Sequence, residues 1–268
     1  MITGASAGVG EACARRFAAD GANLVLIARG EANLKRIGDE LRAQCDVLTI
    51  PMDVARIQDC ESVFQTVQQH FGGVDVLINN AGMHVRGNFK SIQASEIASM
   101  VDVNLKAPFV FSRTAIPLLS QSERGAIIMV GSLAGRAPLQ GAATYSATKA
   151  ALRAFTFALA DELRCEQIKV AIVSPGPIDT GFIMSELDTV EDIVFSQPMS
   201  SAAQVAEAVF QLSSNKRTEM VMPRISGFLT TLGYLLPSLR TRLYPILAKK
   251  GRKMKRHYAN RMQREDER

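Results

Sequence analysis

The run T-G-A-S-A-G-V-G at residues 3–10 decides how this chain is read. Glycines at 4, 8 and 10 let a backbone turn tightly and come close to an anion, and residues 11–19 open a helix directly behind them. The unpaired N–H groups and the dipole at a helix start favour a phosphate there. Turns also want glycine, so the loop acquires its meaning only from the segments around it.

Only Met1 and Ile2 stand ahead of Thr3, whereas a strand usually has about five or six residues. In a doubly wound sheet this first strand is central. Its loss is expected to expose the neighbouring strands, and an N-terminus that has been cut short is expected. Downstream, residues 23–28 (N-L-V-L-I-A) form a buried-strand run that ends at Arg29. In a dinucleotide-binding unit an acidic residue at this strand end accepts from the ribose 2′-hydroxyl, while a basic one accommodates a 2′-phosphate. Ala28 and Arg29 occupy the place here, with no carboxylate before Glu31, which favours NADP(H) over NAD(H). An arginine merely reaching solvent is the plainer alternative.

Further strands are expected at 46–50, 74–78, 126–130, 169–174 and 219–222, alternating with helices at 55–70, 94–119, 145–163 and 201–212. Such alternation belongs to an α/β fold, which places reacting groups and ligands at the C-terminal ends of its strands. Asp53 and Val54 follow the third strand, where Asp53 meets an adenine or caps the next helix. Asn79, Asn80, Ala81 and Gly82 follow the fourth; they suit close approach of a ribose, and they are also unremarkable turn residues. Asn104 lies among Val101, Val103 and Leu105, and a buried amide there needs a partner. It either holds a water or distorts the helix. Pro175, Gly176, Pro177, Ile178, Asp179 and Thr180 form a rigid turn whose backbone is placed to face a nicotinamide. Residues 181–200 are polar and weakly periodic, as a substrate lid is.

The chemistry is carried by S-L-A-G-R-A-P-L-Q-G-A-A-T-Y-S-A-T-K at 132–149. Tyr145 and Lys149 are four apart in a helical run, so their side chains share one face. A neighbouring ammonium favours phenolate and lowers a tyrosine's pKa, fitting it to pass a proton to or from an alcohol. Ser132 stands at the end of the expected fifth strand. A lone Tyr-x-x-x-Lys pair is ordinary helix surface; the surrounding motifs give it weight.

Taken in order, T-G-x-x-x-G-x-G at 3–10, N-N-A-G at 79–82, Asn104, Ser132, Tyr145-x-x-x-Lys149 and Pro175-Gly176 resemble the short-chain dehydrogenase/reductase family, in its NADP-preferring type, over about residues 1–225. The resemblance implies a Rossmann-type, doubly wound three-layer α/β/α fold on a mainly seven-stranded parallel sheet, with the first strand truncated. It implies Tyr145 as general acid/base, with Lys149 lowering its pKa and holding the nicotinamide ribose. Ser132 would polarise the carbonyl and Asn104 would support a water relay to Lys149. Gly4, Ser6, Gly8, Val9 and Gly10 would line the pyrophosphate loop. Asp53, Val54 and Asn80 would flank adenine and ribose beside Ala81 and Gly82, and Ile178 and Thr180 would meet the carboxamide after Pro175-Gly176. A homo-oligomer, dimer or tetramer, is implied as well. A non-catalytic dinucleotide-binding scaffold or sensor is the alternative, since a fold alone does not confer activity.

The 268 residues, 47% hydrophobic and 21% charged, suit one large soluble domain, read as residues 1–224. Cys13, Cys45, Cys60 and Cys165 show no metal spacing and read as free thiols of a reducing, cytoplasmic compartment; the three histidines suggest no metal cluster. The net charge of +5 belongs to the C-terminus: from Arg240 onward eleven Lys/Arg face three acids, a surplus of eight that leaves residues 1–239 at −3. Residues 225–248 are apolar and aromatic, broken by Pro237 and Pro245, and K-K-G-R-K-M-K-R follows at 249–256. No stretch is long and apolar enough to span a bilayer. The tail at 225–268 is expected to cover the cleft, contact a dimer partner, or lie on an anionic membrane surface. Nucleic acid is not expected, because the basic stretch lacks interleaved aromatics or a recognised binding fold. An apolar carbonyl or alcohol, lipid-, steroid-, retinoid- or ketoacyl-like, suits such a tail.

Overall fold

Along residues 24–28, Leu24, Leu26 and Ala28 turn into one apolar core while Val25 and Ile27 turn into another. This alternation is the two-residue period of a strand, and a strand apolar on both faces must be covered by helices on both. The computed structural model, which describes residues 1–180 and 190–266, meets that requirement in three layers.

The strands are β1 (Ile2–Thr3), β2 (Leu24–Ala28), β3 (Val47–Pro51), β4 (Val76–Asn79), β5 (Ala126–Val130), β6 (Lys169–Pro175), β7 (Ile178–Asp179), β8 (Ser200–Ser201) and β9 (Glu219–Met222). Seven of them form one parallel sheet in the order β3-β2-β1-β4-β5-β6-β9, and β7 pairs with β8 separately. The helices are α1 (Gly8–Ala18), α2 (Glu31–Leu41), α3 (Cys60–Phe71), α4 (Ala94–Val101), α5 (Ala107–Leu119), α6 (Ala143–Glu162), α7 (Ala202–Ser214), α8 (Arg224–Leu235) and α9 (Pro237–Asp266). Helices α1, α2 and α7 cover one face of the sheet, and α3, α5 and α6 cover the other. The expected Rossmann-type α/β architecture is the one observed.

The strand order reverses between β1 and β4, so the loops following those strands diverge at the crevice where open α/β sheets bind ligands. The expectation that a short first strand exposes its neighbours is not met. Ile2 pairs with Leu26 on one side and Ile78 on the other, and the Met1 amine donates to the Val76 carbonyl at 2.8 Å. Val25 and Leu77 stay buried beside it.

Three further readings are corrected. The helix expected at 55–70 begins only at Cys60, after a 3-10 turn at Ile57–Asp59, so Asp53 caps no helix; its carboxylate accepts from the Ala55 N–H at 3.0 Å. The helix expected at 94–119 is interrupted by a π-helical turn, Asp102–Lys106, centred on Asn104. Pro245 does not break the tail. It lies inside α9, and Pro237 opens that helix as a first-turn proline can. Of the expected lid, residues 181–189 lie outside the described residues, and Asp192–Ser196 form a 3-10 turn.

Candidate active site

The phosphate loop is built by crowding. A Cβ at Gly10 would stand 2.1 Å from the Gly4 carbonyl oxygen, so only glycine lets α1 start that close to the end of β1. Ala7, at the N-cap of α1, supplies no side-chain cap, which leaves the first N–H groups directed into the cleft. Asn80 fixes the loop from the neighbouring strand, its amide donating to Thr3 O at 2.9 Å and Gly4 O at 3.1 Å. The Thr3 hydroxyl in turn accepts from the N–H groups of Asn80 and Ala81, both at 3.0 Å. The two loops at the switch point are therefore one hydrogen-bonded unit. Arg29, largely exposed, reaches over the same cleft with a guanidinium nitrogen 3.9 Å from the Asp53 carboxylate.

At the other end stand Ser132, Tyr145 and Lys149. Ser132 follows β5, and its hydroxyl accepts from the Ala134 N–H at 3.1 Å. The next turn packs onto α6 at Gly135, where a Cβ would lie 2.6 Å from the Lys149 carbonyl. That contact sets Ser132 against the first turns of α6, within hydrogen-bonding reach of the Tyr145 phenol. Lys149 is buried and donates to the Val130 carbonyl at 2.9 Å. Asn104 is fully buried and finds its partner in Met83, accepting from its N–H and donating to its C=O, both at 2.8 Å, with a further bond to Thr148 Oγ1 at 3.3 Å. The π-helical turn is the helix distortion expected at Asn104, and it turns that amide inward onto the Met83 backbone.

The electrostatics differ from the sequence expectation in one respect. Burial raises the Tyr145 pKa above its ordinary 10, outweighing the Ser132 hydrogen bond and the field of Arg86, which pull it down. Tyr145 is only partly buried by surface area, and its side chain lines the cleft. The Lys149 ammonium, 5.8 Å from the centre of the Tyr145 ring, is itself pushed down to about 8 by burial. Tyr145 is thus held protonated in the free protein.

His84 was not singled out for the site from sequence. Its ring stacks on Tyr145 with centroids 4.0 Å apart and planes 11° from parallel. Burial, then the charges of Arg86 and Lys149, push its pKa down to about 3, so the imidazole is neutral. No spacing signal betrays this stack; it arises because the Asn104 clasp fixes Met83 next to it. A second unpredicted group is Glu219 on β9, which receives Arg136 at 2.5 Å, Arg153 at 2.8 Å and the Ser174 hydroxyl at 2.8 Å. Arg136 also donates to Thr231 Oγ1 on α8 at 2.7 Å, joining the Ser132 loop to the tail.

One cavity of about 1440 Å³ joins both ends. Its walls include Gly4, Ser6, Gly8, Val9, Arg29, Asp53, Val54, Asn80, Ala81 and Gly82, then Ser132, Tyr145, Lys149, Pro175, Gly176, Ile178 and Thr180. Gly10 and Asn104 stand behind this lining, supporting it. The cradle of bare helix N–H groups and the cation at Arg29 fit a phosphorylated dinucleotide, with Tyr145 at its far end.

A helix-start phosphate cradle sharing one cleft with a hydroxyl, a phenol and an ammonium defines a dinucleotide-dependent oxidoreductase. The family model for short chain dehydrogenases matches residues 1–191, and the chain belongs to that family. An uncharacterized oxidoreductase of Staphylococcus aureus is 35% identical over 180 residues, 67% of this chain and 78% of that protein. Among solved structures, a short chain dehydrogenase from Burkholderia cenocepacia in complex with NADP is similar at 31% identity and TM-score 0.75, covering 82% of this chain and 94% of that one. A 3-ketoacyl-(acyl-carrier-protein) reductase from Brucella melitensis complexed with NADH is 29% identical with TM-score 0.73, over the same shares.

Proposed function

We propose that this oxidoreductase is NADP(H)-dependent and interconverts a carbonyl and a secondary alcohol on an apolar substrate, working as a carbonyl reductase. The observation that carries this reading is the single cleft, with Arg29 and the α1 start at one end and the Ser132–Tyr145–Lys149 set at the other. When bound, the nicotinamide supplies hydride to the carbonyl carbon. The chain's own residues handle the oxygen. Tyr145, held protonated by burial, donates its proton to that oxygen as negative charge develops there. Ser132 hydrogen-bonds the same oxygen, an interaction worth most at the transition state. Lys149, fixed by Val130 O and flanking Tyr145, favours the phenolate left behind, and Asn104 holds the Met83 segment that carries His84 onto the tyrosine ring.

Leu133, Leu139, Ile225, Leu229 and Leu247 give the outer cleft its apolar lining. The assembly is a homo-oligomer in the cytoplasm, with the tail touching a membrane surface peripherally. Among the described residues no helix is long and apolar enough to cross a membrane.

The test compares Tyr145→Phe with the wild type. Turnover of a carbonyl with NADPH is expected to fall by about 10²–10⁴, the usual worth of a positioned acid, while the thermal shift given by NADPH persists. Retained turnover would remove Tyr145 as the acid. A larger shift with NADH than with NADPH would remove the role of Arg29.

A further inference from the structure

Twelve large hydrophobic side chains stand exposed among the described residues, and nine of them fall between 225 and 247. Ile225, Phe228, Tyr234, Leu235 and Ile246 are each about two-thirds exposed, at 65–70%. Scattered exposed apolar residues need no explanation; this many on two consecutive helices do. The same segment has an extreme charge pattern. Residues 224–264 hold eleven Lys/Arg and no Asp or Glu, while residues 1–223 carry a net −4. Lys249, Lys250, Lys253 and Arg256 are exposed on α9.

The tail is also held in place. The second half of α9 is docked on the turn at Asp192–Ser196, through Arg252 to Asp192 at 2.8 Å, Lys255 to Val190 O at 2.7 Å and the Phe195–Tyr258 ring contact. Helix α8 is tied to the Ser132 loop by Arg136 and Thr231. Ile225 and Leu229 on α8, and Leu247 and Lys250 on α9, are exposed and yet line the cavity that contains Tyr145. Residues that do both mark a cavity's mouth.

From this coincidence we infer that α8 and α9 dock the protein on an anionic lipid surface with the mouth of the cleft toward the lipid, so that a water-insoluble carbonyl compound reaches Tyr145 directly from the bilayer. The inference deepens the proposed function and rests on its apolar substrate and its peripheral membrane contact. Charge complementarity selects the occupant. An anionic surface attracts the tail and repels the acidic body, which fixes orientation as well as affinity. A second copy meeting the same face would set two acid-free basic segments against each other.

The experiment uses the full chain with phosphatidylcholine vesicles, with or without phosphatidylglycerol, at low and high salt. The wild type is expected to sediment with the anionic vesicles only and to be released by salt. Lys249→Glu, Lys253→Glu and Arg256→Glu together should weaken binding at least about a hundredfold, taking about fivefold for each basic residue near the surface. Phe228→Ser, Leu235→Ser and Ile246→Ser together should abolish it. Both variants keep the NADPH thermal shift and the turnover of a small water-soluble ketone, which report the proposed function separately. With anionic vesicles the apparent KM for a long-chain ketone falls for the wild type and stays unchanged for both variants. Equal binding to neutral vesicles, or no binding, overturns the inference. So does a dimer by light scattering that the serine variant dissociates, since a second copy would then own the face. Vesicle binding without any change in the long-chain KM overturns the access route.

Discussion

Replacing Lys149 by methionine isolates what the buried ammonium costs the fold. Its pKa falls from 10.5 to about 8 through burial alone. At about 1.36 kcal/mol per unit, the charged form destabilises the folded free protein by about 3 kcal/mol relative to a solvated lysine. Methionine removes that cost and loses the hydrogen bond to Val130 O, worth about 1 kcal/mol net. Lys149→Met is therefore expected to be more stable at about pH 7 by about 2 kcal/mol, a Tm rise of about 5 °C for a chain of this size, although reductase activity collapses. The pH dependence is the sharper signature. Below about 8 both folded and unfolded lysine are protonated and the cost is fully present. Between about 8 and 10.5 the unfolded state binds more protons, so wild-type stability rises with pH through this group and the variant's does not. Urea unfolding followed by far-ultraviolet circular dichroism, without nucleotide, should show the variant's advantage shrinking across that window. An advantage that is constant with pH, or a variant less stable at neutrality, would refute the reasoning.

Other consequences can be measured on the same protein. Arg29→Ala is expected to weaken NADPH binding about tenfold by calorimetry and leave NADH nearly unchanged, the modest size reflecting an exposed guanidinium. Gly135→Ala places a Cβ 2.6 Å from the Lys149 backbone; overpacking of this kind costs about 1–3 kcal/mol, and kcat should fall with it while nucleotide still binds. The wild-type-minus-Tyr145→Phe ultraviolet difference spectrum should show no tyrosinate below pH 10, because burial holds the phenol above its ordinary value. Tyrosinate appearing near neutrality in the free protein would mean that Lys149 controls that hydroxyl after all.

The sheet was legible because strands buried on both faces read as continuous apolar runs. Residues 126–130 and 219–222 coincide with β5 and β9 as expected, and the boundaries of β2, β3, β4 and β6 move by one or two residues. The helix at 201–212 carries its own start signal, a capping box in which Ser201 and Gln204 each accept from the other's backbone. The glycine loop and the set at 132–149 were equally plain, since their spacing is local to one loop or one helix. What stayed hidden depends on residues distant in sequence. The π-helical turn looks like helix in any periodicity count, and its purpose is visible only once Met83 lies against Asn104. The His84 stack and the raised Tyr145 pKa arise from tertiary burial, which a neighbouring lysine in the sequence cannot foretell. Pro245 reads as a breaker because the rule assumes a helix with no exposed side to spare.

Glu219 bears on how the molecule comes into being. It sits on the outermost strand and is the shared counter-charge for Arg136, from the loop after Ser132, and Arg153, from α6. Until it arrives, neither of those two guanidinium groups has this carboxylate to pair with. The hydrogen bonds that join the glycine loop to the turn after β4, by contrast, involve nothing encoded later than Ala81. During synthesis the link between the glycine loop and the fourth strand is therefore encoded more than a hundred residues before the counter-charge that ties the Ser132 loop and α6 to the sheet edge.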